Sequence, residues 1–264
     1  METTLLGCRL SYEFKRPTAP DAPVVLFLHG WGCDGSIFSF AMDQLAEGAA
    51  ILTLDFPGHG KSADPPTPWG VQEYADMVLA LLQEQNIASV QVVAHSFGAR
   101  VAILLASQHP EMIEKLIITG GAGIKKPDTN AKNKRTQQYK RYNKFLEKLK
   151  RIPGLKHTVE IAQTKLRNHY GSPDYVKLNE GMRKTFVKVI SLDLSPMLAD
   201  IQAPTLLVWG GNDTETPLWM GQEMEKSIPD VGMVVFEGCG HYAFLEEAQR
   251  FAIIIKQFLL EGKG

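Results

Sequence analysis

The sequence predicts an α/β fold, a mostly parallel central sheet flanked by helices and carrying one helical insertion, on three observations. Six short runs rich in aliphatic and β-branched residues recur along the chain, helical spacing appears between them, and one lysine-rich stretch from about 122 to 190 shows no strand pattern. The runs at 24–29, 50–55, 90–94, 115–119, 205–209 and 233–236 are almost continuously apolar. Strands of that kind suit a parallel sheet covered on both faces, because neither side of the pleat meets water. Residues 71–85 and 96–109 place apolar side chains at helical spacing between them. The resulting order of strand, helix, strand, helix is that of an α/β domain.

The organisation expected is a first part of the core at 1–121, a helical cap at 122–190 and a second part of the core at 191–264. Within the insertion, Tyr170-Gly171-Ser172-Pro173-Asp174-Tyr175 reads as a turn, and Ala203-Pro204 opens the next strand. Charge divides along the same boundaries. Residues 122–190 hold 18 Lys and Arg against 5 Asp and Glu, a net of +13, while the remainder holds 10 against 24, a net of −14. The near-neutral total of −1 hides a basic insertion on an acidic core.

Bulk properties give a class and exclude others. With 44% hydrophobic and 22% charged residues over 264 positions, the chain has the balance of a globular protein, not of a disordered or fibrous one. Met1 to Gly7 lacks a basic segment followed by a long apolar one, and no stretch is apolar for the length a membrane span needs, so a cytoplasmic protein with no transmembrane segment is expected. Cys8, Cys33 and Cys239 are far apart and without paired spacing, which argues against a disulfide framework or a zinc site. No glycine-rich nucleotide loop or metal-ligand cluster occurs, so no cofactor and no metal are expected, and no aromatic stacking pattern points to nucleic acid.

Chemistry is concentrated at the carboxyl ends of the expected strands. Ala94-His95-Ser96-Phe97-Gly98 places a serine between an apolar strand and a helix, with small residues two before and two after it. A sharp strand-to-helix turn needs small side chains at those two positions, and it exposes the hydroxyl at a helix N-terminus, where an anion is favoured. Asp213 follows Gly210-Gly211-Asn212 at one later strand end, and His241 follows Gly238-Cys239-Gly240 at another. Loops at the carboxyl ends of parallel strands converge, so Ser96, Asp213 and His241 are expected to meet as a catalytic triad. Serine is a weak nucleophile until an imidazole takes its proton, and a carboxylate fixes the imidazole tautomer and stabilises its charged form. Each of the three also has a plain structural reading, as helix cap, turn residue and core histidine. Asp193, just before the strand that leads to Asp213, is the rival acid.

His29-Gly30-Trp31-Gly32 closes the first apolar run and is expected to line the substrate site, with the backbone N–H groups of Trp31 and Phe97 as an oxyanion hole. Preorganised donors at that point stabilise the charge that develops on a former carbonyl oxygen. The side chain of Trp31 could equally be a core aromatic or line an acyl pocket.

The motifs His29-Gly30-Trp31-Gly32, Asp55-Phe56-Pro57-Gly58-His59-Gly60-Lys61-Ser62, Ala94-His95-Ser96-Phe97-Gly98, Gly210-Gly211-Asn212-Asp213 with Pro217, and Gly240-His241 together resemble the α/β-hydrolase superfamily. The resemblance spans about 23–260 and falls in the branch of capped carboxylesterases and carbon-carbon bond hydrolases. It implies Ser96, Asp213 and His241 as nucleophile, acid and base, a structural turn at Asp55 to Gly60, and an acyl-enzyme on Ser96 formed from small or medium carboxylic esters. Serine at position 96 disfavours the branches with an aspartate nucleophile, and Ala94 in place of glycine is the one departure. A carbon-carbon bond hydrolase acting on a dienoate or diketone is the alternative, and a pocket that binds without cleaving is a second. The partner expected is a small-molecule ester, with anionic esters favoured if the basic insertion steers substrates electrostatically.

Overall fold

The computed structural model describes residues 1–16, 22–125, 130–150, 152, 155–170 and 173–261. Lys126–Phe186 packs as one compact unit, and Met1–Lys125 with Val187–Gly264 forms the other. The helical unit is therefore narrower at both ends than the expected 122–190.

The sheet-bearing unit holds strands β1 (Glu2–Leu5), β2 (Cys8–Lys15), β3 (Val24–Leu28), β4 (Ala50–Asp55), β5 (Val90–His95), β6 (Ile113–Thr119), β7 (Thr205–Gly210) and β8 (Val231–Phe236). They lie in the order β1-β2-β4-β3-β5-β6-β7-β8. From β4 to β8 every neighbouring pair is parallel, whereas β1 with β2 and β2 with β4 are antiparallel. All six expected strands are present, and β1 and β2 were not foreseen. β2 alternates buried Cys8, Leu10 and Tyr12 with more exposed neighbours, the pattern of a half-covered strand, so it contains no continuous apolar run.

Helices α1 (Ser39–Leu45), α2 (Val71–Glu84) and α3 (Phe97–Gln108) connect the first parallel strands. The helices α4 (Asn130–Leu149), α5 (Lys156–Tyr170), α6 (Pro173–Lys177) and α7 (Glu180–Ser191) occupy the insertion, with α7 running on into the sheet-bearing unit. Residues 171–172 of the turn expected at 170–175 lie outside the described residues, and Pro173 opens α6. After the insertion come α8 (Leu218–Ser227), α9 (Ala243–Glu246) and α10 (Ala248–Lys256).

The two-residue period of a strand sorts the core into two layers. Leu26 and Leu28 of β3, Val92 and Ala94 of β5, and Leu207 and Trp209 of β7 pack with α2 and α3 on one face. Val25 and Phe27, Val93, and Val208 pack with α1 and α10 on the other. Each strand is thus apolar at successive positions, and the parallel part of the sheet is fixed in register by burial on both sides. That register brings the carboxyl ends of β3, β5, β6, β7 and β8 to one edge.

Candidate active site

Ser96 joins β5 to α3 with φ 50° and ψ −108°. A non-glycine residue holds such a backbone only where its surroundings impose it, and residues of this kind cluster at functional sites. Here Ser96 N donates to Thr119 O at 3.3 Å, and Ser96 O accepts from Ala99 N and Ala122 N, both at 3.1 Å. The turn also requires glycine at 98, because a Cβ there would sit 2.1 Å from the carbonyl oxygen of Leu28. That close approach seats the start of α3 on the end of β3. Phe97 is the first residue of α3, so its N–H has no acceptor within the helix.

Asp213 and His241 meet. Nδ1 of His241 lies 2.8 Å from Oδ2 of Asp213, with the carboxylate fully buried and the imidazole 12% exposed. Oδ1 of Asp213 accepts the backbone N–H groups of Glu215 and Thr216, both at 2.9 Å. Burial by itself raises the carboxyl pKa, but the bonds from His241 and Thr216 outweigh it and hold the group below its usual range. An ionised Asp213 makes Nδ1 the donor, which leaves the Nε2 lone pair available as a base.

His95, the residue before Ser96, contacts the His241 loop. Nε2–H of His95 donates to the carbonyl oxygen of His241 at 3.1 Å, and the two rings lie 4.7 Å apart between centroids. Burial, then the nearby His241, push the pKa of His95 down to about 3, so it is neutral at ordinary pH. No hydrogen bond joins the Ser96 hydroxyl to the His241 imidazole among the described residues. Nucleophile–base bonds of this type are commonly long without substrate and tighten in the complex.

The turn after β3 departs from expectation in one respect. His29 was expected among the substrate-binding residues, but its ring is fully buried, Nδ1–H donates to Gly30 O at 2.8 Å, and Nε2 accepts from Phe56 N at 2.9 Å. Both nitrogens are committed to the backbone and its pKa is pushed down to about 4, chiefly by burial, so the side chain ties two loops together and offers a substrate no polar atom. Cys33 N donates to Gly30 O at 3.2 Å and closes the turn over Gly30, Trp31 and Gly32. The Trp31 indole stands edge-on to His59 at 4.7 Å and to Phe97 at 5.3 Å. The two proposed oxyanion donors therefore belong to residues whose rings touch.

No bond joins Asp193 to His241 among the described residues. Its Oδ1 accepts from Lys125 N, Ser195 N and the Ser195 hydroxyl, which makes it a local loop cap. The 55–62 segment is a structural turn: Asp55 accepts Gly35 N at 2.9 Å and Lys61 N at 2.8 Å, and its carbonyl accepts the Ser62 hydroxyl at 2.6 Å.

Three contributors escaped the sequence reading. Thr216 places its hydroxyl 2.8 Å from Asp213 Oδ2, 2.9 Å from Gly120 O and 3.2 Å from His241 Nδ1. Gly120, at φ +51°, lies where a Cβ would come within 3.2 Å of His241 Nδ1 and 3.3 Å of Asp213 Oδ2. His95 braces the histidine loop, as described above. Their sequence signals are faint: a threonine three residues after an aspartate, and a Gly-Gly pair at the end of β6.

Among the described residues no group of three His, Cys, Asp or Glu is placed to hold a metal ion, and no helix is long and apolar enough to cross a membrane.

Comparison with known proteins identifies the family. A 2-hydroxy-6-oxononadienedioate/2-hydroxy-6-oxononatrienedioate hydrolase from Burkholderia vietnamiensis is 28% identical over 266 residues, covering 92% of this chain and 88% of the relative. A pimeloyl-[acyl-carrier protein] methyl ester esterase from Neisseria meningitidis is 27% identical over 260 residues, covering 93% of this chain and 80% of the relative. The crystal structure of an enol-lactonase from Burkholderia xenovorans superposes with a TM-score of 0.75 at 20% identity, over 98% of this chain and 99% of that one. The sequence model of the alpha/beta hydrolase family matches residues 25–253, which take in the parallel strands and the helical unit but not β1 and β2, and the chain belongs to that family.

Proposed function

We propose that this hydrolase cleaves small or medium carboxylic esters through an acyl-enzyme on Ser96. The observation that carries the reading is the strained Ser96 backbone at the start of α3, in a unit where Asp213 already holds the His241 imidazole at 2.8 Å. As Ser96 Oγ attacks the ester carbonyl, His241 Nε2 takes its proton, and the oxyanion is held by the N–H groups of Phe97 and Trp31. The protonated His241 then gives that proton to the departing alcohol, leaving the acyl group on Oγ. Water attacks the acyl carbon next, yielding its proton to His241, which returns it to Oγ as the carboxylic acid leaves. Asp213 stays ionised throughout and stabilises the imidazolium.

The net of +13 over residues 122–190 favours anionic esters among the substrates. A second reading, hydrolysis of a carbon-carbon bond in a dienoate or diketone by the same residues, is supported by the likeness to the Burkholderia vietnamiensis hydrolase. The test is to compare kcat/KM for p-nitrophenyl acyl esters of graded chain length with that for a 2-hydroxy-6-oxo-dienoate. The ester reading expects the higher value for an ester and its loss in Ser96→Ala. Faster dienoate cleavage would favour the second reading, and full ester turnover by Ser96→Ala would contradict both.

A further inference from the structure

Two described residues between α4 and α5, Ile152 and Leu155, are tied to their neighbours by backbone hydrogen bonds. Ile152 N donates to Leu149 O at 3.0 Å, Leu155 N to Ile152 O at 3.2 Å, and Val159 N to Leu155 O at 2.9 Å. Large apolar side chains stand out from this end of the hairpin. Ile152 is 47% exposed and Leu155 38%, and along α4 Tyr142 is 54% and Phe145 59% exposed. Tyr142, Phe145 and Leu149 follow one another at helical spacing, so they form a stripe along α4.

Basic residues border that stripe. Lys140, Arg141, Lys144, Lys148 and Lys156 are exposed, while Lys150 reaches Glu160 at 3.5 Å. The acidic residues of the hairpin are engaged, Glu160 by that pair and Glu147 by an amide donor from Gln163 at 2.6 Å. The surface that remains combines apolar side chains at an apex with positive charge around them.

We propose that the exposed apolar residues at the end of α4 and at Ile152 and Leu155 form a docking surface for an anionic phospholipid bilayer, with Ile152 and Leu155 entering the acyl boundary and the bordering lysines meeting headgroup phosphates. Charge complementarity argues for an anionic partner, since residues 122–190 carry a net of +13. The apolar apex selects a membrane over an acidic protein: a protein would need a pocket shaped to Ile152 and Leu155, whereas a bilayer accepts any apolar group that reaches its headgroup boundary. Attachment would be peripheral and salt-sensitive, because screening weakens the lysine contribution.

The experiment is co-sedimentation of the full chain with vesicles of phosphatidylcholine alone and of phosphatidylcholine with one third phosphatidylglycerol, at low and high salt. Binding is expected to the anionic vesicles only. It should fall at least about tenfold in Ile152→Ser/Leu155→Ser and in Lys144→Gln/Lys148→Gln/Lys156→Gln, each with the circular dichroism spectrum and Tm of the parent chain. The two variants are independent, so misfolding of one leaves the other as a test. Failure of the parent chain to bind anionic vesicles at low salt would overturn the proposal. So would equal binding by correctly folded variants of both kinds, or retention on immobilised polyglutamate without vesicle binding.

Discussion

The sheet-bearing unit and the helical unit are built on opposite economies of burial and charge. In the first, strands β3, β5 and β7 bury successive residues on both faces, and Leu26, Phe27, Leu28, Val92, Val93, Leu207, Val208 and Trp209 are all fully inaccessible. In the second, Val159 and Met182 are the buried apolar residues among those described, with Gln163 and Thr185 buried beside them. The helical unit has instead the basic excess and several exposed aliphatic and aromatic side chains. Dense burial holds atoms where catalysis needs them, to within a fraction of an ångström, and thin burial leaves the sequence free to vary in charge and surface. The proposed reaction centre accordingly lies wholly on loops of the sheet-bearing unit, while the basic excess lies in the helices.

The largest expected effect sharpens that contrast. Ser96→Ala should lower kcat on an ester by about 10⁵ to 10⁶-fold, and Asp213→Asn by about 10⁴-fold, with the fold intact by circular dichroism. No single exposed residue of α4 or α5 should lower kcat on a soluble neutral ester by as much as tenfold, about 1.4 kcal/mol. A helical-unit substitution with a loss of the Ser96 order would break the division.

The same division should appear in stability. Leu207→Ala, which empties a fully buried site in β7, is expected to cost about 2–5 kcal/mol in urea unfolding, because the surrounding core closes a cavity only in part. Ile161→Ser, at a position 46% exposed in α5, should change it by no more than about 0.5 kcal/mol.

The sequence announced the strands and the proposed reaction centre better than the contacts that support them. Continuous apolar runs identified six strands because two-sided burial leaves no polar positions to interrupt them. The alternating β2, covered on one side only, could not be found by that criterion. The strained Ser96 turn and the Asp213–His241 pair were legible as places in the fold because a strand followed by a tight loop leaves glycine and small residues in its wake. Supporting contacts are less legible, since nothing in a linear pattern shows that the Thr216 hydroxyl and the bare Gly120 Cα converge on a carboxylate and imidazole from different strands. His29 differs from its expected place for a related reason: a histidine in a strand-end loop looks available for ligands until its two ring nitrogens are seen bonded to Gly30 and Phe56.

Thr216 supplies a smaller prediction. Removing its hydroxyl in Thr216→Val takes one contact from Asp213 and loosens the loop that aims His241, so kcat should fall by roughly fivefold, about 1 kcal/mol, with KM little changed. Thr216→Ser retains the hydroxyl and should restore most of the rate. Equal rates in all three proteins would show that the hydroxyl serves only Gly120.

The pH dependence of stability should bear the mark of the sheet-bearing unit as well. His95 and His29 titrate near 3 and 4 when folded, against about 6.5 when unfolded, because burial disfavours their charged forms. Between those values the unfolded chain binds more protons than the folded one, so stability rises with pH, and Tm should fall steadily as pH is lowered from about 6.5 towards 4. Asp213, held below its usual range, adds to the loss only at lower pH, as the carboxylate is protonated. A flat Tm over the upper window would mean that the two imidazoles are not buried as described. The smallest effect expected is on steering: kcat/KM for an anionic ester should decline with added salt while that for a neutral ester stays level.

The most direct test is the rate at which a fluorophosphonate labels the protein, with the modified residue mapped by mass spectrometry. Attachment at Ser96 is expected in the parent chain, slowed by orders of magnitude in His241→Ala, since the hydroxyl reacts only when an imidazole removes its proton. Absence of label at Ser96, or labelling equally fast without His241, would contradict the assignment of these residues as nucleophile and base.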